Sequence, residues 1–226
     1  MGSEMCIRDR HLTAYTRSIG PVSISDDHFD PSAISETSTC MPDREADARA
    51  SAFLAQCMKE HDSAGGVVEC VVSGVPAGIG DPVFEKLDAM LSMAVMSIGA
   101  VKAVEIGDGI AAASRKGSEN NDAFYADHGQ IKKKTNHAGG ILGGISDGSE
   151  IILRAHFKPT PSIFQKQHTV TNTLENTELE IRGRHDPVVV PRAVVVVECM
   201  TALTILDACM KNMTAKLDYL VDFYQS

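Results

Sequence analysis

From Ile151 to Phe157 every second side chain is apolar, and the alternate positions carry Ile152, Arg154 and His156, leading on to Lys158. A period of two places Ile151, Leu153, Ala155 and Phe157 on one face of a strand and lines up the basic side chains on the other. Such a segment fits only a sheet with one face against a core. Just before it, NHAGGILGGISDG (136–148) holds Gly139, Gly140, Gly143 and Gly144. Glycines there have two readings. One is close backbone packing; the other is convergence of backbone N–H groups on an anion, because no Cβ stands in the way.

The other elements follow from spacing. Asp43 is a helix cap, followed by Ala46, Ala50, Phe53, Leu54, Cys57 and Met58 at helical intervals. The turn HDSAGG (61–66) ends that helix and the strand 67–73 follows. Asp81-Pro82 reads as a cap and first turn for a second helix, with Leu87, Met90, Leu91, Ala94, Val95 and Ile98 on its buried face. Further strands are predicted at 12–24, 101–106 and 178–182, with loops at 25–43 and 115–136 and a polar hairpin around 165–180. A long helix is predicted from Pro191 to about Tyr224. Strands and helices alternate only in part, which predicts an α+β fold. Residues 1–10 match neither a cap nor a strand and are read as a leader foreign to the fold, with 11–226 as one domain.

Composition narrows the partners. The 226 residues carry 21 Lys plus Arg against 30 Asp plus Glu, a net charge of −9, with 5% aromatics and no tryptophan. That balance argues against nucleic acid or an anionic membrane as partner. No run of 18 consecutive apolar residues occurs. The six cysteines, at 6, 40, 57, 70, 199 and 209, have no metal-ligand spacing and read as reduced core residues. The charge is uneven: residues 1–114 hold 8 basic and 17 acidic side chains, and residues 115–226 hold 13 of each. Lys132–Lys134 reads as a solvated face.

Lys158 is different. It opens Lys158-Pro159-Thr160-Pro161-Ser162, where an ammonium and two hydroxyls form a donor set suited to phosphate. A second set is Arg182, Arg184, Asp186 and Arg192. Arginine gives bidentate contact with phosphate or carboxylate, and Asp186 can orient a neighbour or act as a base. The competing reading is a structural Arg–Asp pair at the start of the long helix. Glu198, among valines, reads as a paired buried acid. Gly107-x-Gly109-x-x-Ala112 follows a strand, but the polar residues after it favour a plain turn over a dinucleotide site.

Several of these runs together resemble chorismate synthase. They are RGRHDPVVVPRAVVVVECM (182–200), NHAGGILGGISDG, KPTPSI (158–163), SGVPAGIGDPVFEKLDAMLSMAVMSIGAVKAVEIGDG (73–109) and HDSAGG, in the family's order. The resemblance implies a β–α–β sandwich, assembled as a homotetramer. It implies a cytoplasmic or plastid lyase that eliminates phosphate from 5-enolpyruvylshikimate 3-phosphate in a 1,4-anti sense, giving chorismate for aromatic amino acid biosynthesis. It also implies reduced FMN, which lends an electron transiently, and in some members NADPH as the flavin's reductant. Carried over by motif, FMN contacts fall on Gly99, Ala100, Gly143, Lys158, Pro159, Thr160, Pro161, Ser162 and Arg184, with proton transfer at Asp186. No metal is implied. The family's G-E-S-H and R-G-G-G-R-S-S segments have no counterpart in these residues. The expectation is therefore a C-terminal portion, incomplete at the N-terminus, with little elimination activity alone; a non-catalytic flavin-binding fragment is the alternative.

Overall fold

The computed structural model describes residues 4–5, 10–181, 183 and 186–225. In chain order these form β1 (Glu4–Met5), β2 (Arg10–Ile19), β3 (Val22–Ser23), α1 (Arg44–Lys59), β4 (Gly66–Ser73), α2 (Leu87–Met96) and β5 (Val101–Ile106). A short α3 (Gly117–Asn120) precedes β6 (Phe124–Asp127), β7 (Gln130–Lys133), β8 (Ile141–Leu142), β9 (Ile145–Ser146) and β10 (Ile151–Phe157). The chain then runs through β11 (Gln167–Val170), β12 (Asn176–Leu179), α4 (Val190–Asn212) and α5 (Leu217–Gln225). The fold is α+β, as the order of elements predicts.

The main sheet has the strand order β1-β2-β4-β10-β5, with β3 also paired to β2. Glu4 and Met5 pair antiparallel with His11 and Arg10. Three further two-stranded antiparallel sheets are β6–β7, β8–β9 and β11–β12. The chain divides into two compact units. The first holds residues up to Ala14, Glu69–Ala155 and everything from Val195; the second holds Tyr15–Val68 and His156–Val194.

In the first unit Leu12, Val72, Leu87, Leu91, Val95, Ile151, Leu153 and Ile205 are buried. The alternation in β10 is observed as expected, with Ile151, Leu153, Ala155 and Phe157 buried and the residues between them partly exposed. Helix α2 starts five residues later than Asp81-Pro82 suggests. Its first amide, Leu87 N, donates to the carbonyl of Gly144 at 2.8 Å, so a distant backbone group does the work of a cap. Lys86, at the cap position, makes no side-chain bond there. The stretch expected as a loop at 115–136 instead contains α3 and the β6–β7 hairpin.

In the second unit the core is Tyr15, Ile19, Met41, Ala46, Ala50, Cys57 and Val68. Asp43 caps α1 as expected, its Oδ1 accepting from Glu45 N and Ala46 N, both at 3.0 Å, and its Oδ2 from Ser25 N. Burial works against the charged form, but these amides hold the carboxyl below its ordinary value. Met58, placed on the buried face by spacing, is 60% exposed. The strand expected at 178–182 is the hairpin arm β12, and the arm ends at Leu179.

The single long C-terminal helix is two helices, α4 and α5. Helix α4 is long and apolar enough, by composition, to cross a membrane. Its Val197, Glu198, Ala202 and Ile205 are nevertheless buried, and Glu198 accepts from Ala14 N at 3.2 Å. Those contacts bury one face of the helix, while Val195, Val196 and Leu203 on it are exposed. Among the described cysteines Cys57 and Cys70 are core residues, whereas Cys199 is exposed and Cys40 and Cys209 are half-buried. Burial pushes the Cys70 thiol up to about 12.

Candidate functional site

Within the second unit, β10 delivers Lys158 at its end, and the chain turns through Pro159 and Pro161. Prolines fix φ and stiffen the segment that carries the donors. Lys158 is exposed and pairs with no carboxylate among the described residues. Thr160 Oγ1 is buried and has no hydrogen-bond partner among the described residues. A buried hydroxyl without a partner is costly, and in a native fold it calls for a missing ligand or water.

The turn at 61–66 lies against this segment. Ser63 Oγ donates to the Thr160 carbonyl at 2.7 Å, and Gln165 Nε2 to the Glu60 carbonyl at 2.9 Å. The rings of His61 and Phe164 meet edge to face, with centroids 6.0 Å apart. Ser162 and Asp186 line one cavity of about 100 Å³ together with Met58, His61, Ser63 and Phe164. Asp186 Oδ2 accepts from Arg192 Nη1 at 2.6 Å. The structural pair at the start of α4 is therefore present, and it involves one of the proposed site residues. Arg182, Arg184 and His185, and with them the expected contact at Arg184, lie outside the described residues.

Gly99, Ala100 and Gly143 belong to the first unit. A Cβ on Gly99 or Gly143 would meet nothing within 4 Å. The other glycines of the run serve close packing. A Cβ on Gly140 would stand 2.5 Å from the Glu150 carbonyl, one on Gly144 2.5 Å from that of Asp81, and one on Gly139 would strike Gly107 N. Close packing thus accounts for Gly139, Gly140 and Gly144, while Gly143 leaves open backbone. Gly107 is a tight turn, φ +59°, leading into the 3-10 segment Gly109–Ser114 rather than a long helix. This is the plain turn preferred from sequence.

Two basic side chains differ from expectation. Arg154 is engaged by the carboxylate of Glu69 and donates to the Gly107 carbonyl at 2.8 Å, so it braces the first unit instead of facing an anion. Lys133 is the larger correction. Its side chain is 4% exposed, with Nζ 2.7 Å from Asp147 Oδ2, 3.3 Å from Asp122 Oδ2 and 3.1 Å from Asn136 Oδ1. Asp122 also accepts from His137 N and Ala138 N, at 2.8 and 3.0 Å. Burial opposes the charge on Asp122, but those amides, the Thr135 hydroxyl and Lys133 hold its carboxyl well below the usual range. Asp147 is lowered likewise, burial being outweighed by Lys133 and Ser149. His137 Nδ1 lies 2.6 Å from Asp108 Oδ2, which also pairs with Arg115.

Sequence reasoning missed Lys133 and assigned no role to Ser63. A run of three lysines hides the buried one, since only the hairpin's pairing decides which ammonium turns inward. Ser63 was marked by its motif alone.

The family model for chorismate synthase matches residues 6–210. The chain belongs to the chorismate synthase family. The chorismate synthase of Agathobacter rectalis is 56% identical over 93% of this chain and 58% of its own length. That of Archaeoglobus fulgidus is 56% identical over 75% of this chain and 47% of its own. A solved structure titled "Crystal Structure of Chorismate Synthase" superposes with a TM-score of 0.74 at 26% identity, covering 90% of this chain and 58% of that one. The chain thus spans under two thirds of the length of these chorismate synthases.

Proposed function

We propose that this chain supplies the flavin- and phosphate-holding part of a chorismate synthase. The reaction is the 1,4-anti elimination of phosphate from 5-enolpyruvylshikimate 3-phosphate. The observation that carries the reading is the buried Thr160 hydroxyl, two residues from Lys158, both without a partner among the described residues. A cation and hydroxyl donors on a proline-stiffened turn fit the phosphate of FMN. Reduced FMN, when bound, supplies the electron density that eases departure of the substrate's phosphate.

The residues of the chain have simpler tasks. Lys158, Thr160 and Ser162 bind and orient an anionic group. Gly99 and Gly143 leave backbone uncovered for close approach, and Ala100 follows Gly99 in the same motif. Asp186, fixed by Arg192, holds or accepts a proton at its carboxylate. NADPH as the flavin's reductant, a homotetramer and a cytoplasmic or plastid setting complete the proposal. Nucleic acid and membrane have no part in it.

The test has two arms. Flavin fluorescence is titrated with the protein and with Lys158→Ala; the wild type is expected to quench it and the variant to lose most of that affinity. A coupled assay then follows chorismate formation by these 226 residues alone. Little or none is expected, because positioned acid–base groups contribute about 10²–10⁴-fold and no G-E-S-H segment is present. Normal turnover would show that the site is complete without that segment.

A further inference from the structure

The turn His61–Gly66, whose His61 and Ser63 line the small cavity with Ser162 and Asp186, touches both stretches of chain that carry the proposed site residues. Ser63 Oγ donates to the Thr160 carbonyl at 2.7 Å. The next amide, Ala64 N, donates to the Pro187 carbonyl at 2.7 Å, and Ala64 and Val188 form a parallel bridge. Gly65 completes the fit. A Cβ there would stand 2.5 Å from the Phe157 carbonyl and 3.1 Å from Pro159 Cδ, so the turn lies directly on the start of the Lys158–Ser162 segment. Gln165 and Phe164 close the far side, on the Glu60 carbonyl and the His61 ring. All these residues are in one compact unit.

We propose that this turn is a positioning clamp, with Ser63 and Ala64 setting the spacing between the Lys158–Ser162 donors and the Asp186 carboxylate. Three consecutive residues fasten three backbone points: 157–159 by Gly65, 160 by Ser63, and 187–188 by Ala64. The hydrogen bond from Ser63 fixes the Thr160 carbonyl and, through that residue's backbone, the direction of its buried hydroxyl. A ligand gripped by Thr160 then meets a segment already ordered, and none of its binding energy goes into ordering it. Ser63 is a positioning residue here, since its hydroxyl donates to the Thr160 carbonyl and acts on the donors through that residue. The role in flavin binding rests on the proposed function; the clamp itself is a property of the chain.

The experiment compares the wild type with Ser63→Ala, Ser63→Thr, Gln165→Ala and Lys158→Ala by two readouts: amide hydrogen exchange without ligand, and FMN titration by fluorescence. In Ser63→Ala, exchange over 158–165 is expected to rise about tenfold while the β11–β12 hairpin is unchanged. FMN affinity is expected to fall about fivefold, as for one hydrogen bond. Ser63→Thr keeps the hydroxyl and is expected to restore both. Should Ser63→Ala not fold, Gln165→Ala, at an exposed position, is expected to move both readouts the same way by a smaller amount. Unchanged exchange over 158–165 overturns the clamp. So does wild-type affinity in Ser63→Ala where Lys158→Ala has lost binding, and that result leaves the flavin reading intact. If the wild type does not bind FMN, or Lys158→Ala binds as well as it does, the flavin reading fails. Exchange then decides the clamp alone: a rise over 158–165 reversed by threonine supports it, and a flat profile overturns it.

Discussion

Lys133 and Lys158 are both lysines with a threonine two residues on, Thr135 and Thr160, and they end in opposite states. Lys133 is nearly inaccessible and spends its three donors on Asp122, Asp147 and Asn136. Among the described residues Lys158 is exposed with no carboxylate against it, and Thr160 keeps a buried hydroxyl without a partner. What separates them is saturation. A cation whose donors are filled by the protein is part of the scaffold, while one whose donors are open is part of a site. The glycines divide in the same way, Gly140 being pressed on the Glu150 carbonyl and Gly143 open.

The largest expected effect comes from emptying the saturated cluster. Lys133→Met leaves Asp122 and Asp147 buried and facing each other, and should cost about 3–5 kcal/mol in urea denaturation. Lys158→Met, at an exposed position, should stay within about 0.5 kcal/mol of the wild type. Equal costs at the two lysines would erase the distinction. Ligand binding should reverse the order. Lys158→Ala is expected to weaken FMN by about 10–100-fold, the value of a hydrogen bond from a charged donor.

Glycine replacements give the next effect. Gly140→Ala combines a positive φ with a 2.5 Å approach to backbone, whereas Gly143→Ala has the positive φ alone. The second should cost about 1–2 kcal/mol and the first clearly more. Flavin affinity is expected to fall only at Gly143. The smallest effect is in acid. The Asp122 carboxyl is lowered in the folded state, so its stabilisation is full above the ordinary carboxylate pKa of about 4 and drains away as pH falls from there toward the lowered value. Asp122→Asn should flatten that part of the stability–pH curve.

Much of this was legible in the chain. The alternation of β10, the Asp43 cap and the phosphate-suited donors at 158–162 are local patterns, and the structure shows the first two as read. The start of α2 was not legible, because its first amide bonds to Gly144, which lies far along the sequence. The pairing of Arg154 is not legible for a similar reason: its partners Glu69 and Glu105 come from other strands. Local composition records which groups a segment offers. Whether the fold consumes them is settled by pairings that composition does not contain.

The most direct measurement is on Thr160→Val, which removes the buried hydroxyl and keeps the shape. With the hydroxyl reserved for a ligand, the variant should be at least as stable as the wild type by thermal denaturation, since an unpaired buried group is gone. Its affinity for FMN should fall several-fold. A variant that gains stability and binds FMN as the wild type does would contradict the assignment of this segment as the flavin's phosphate site.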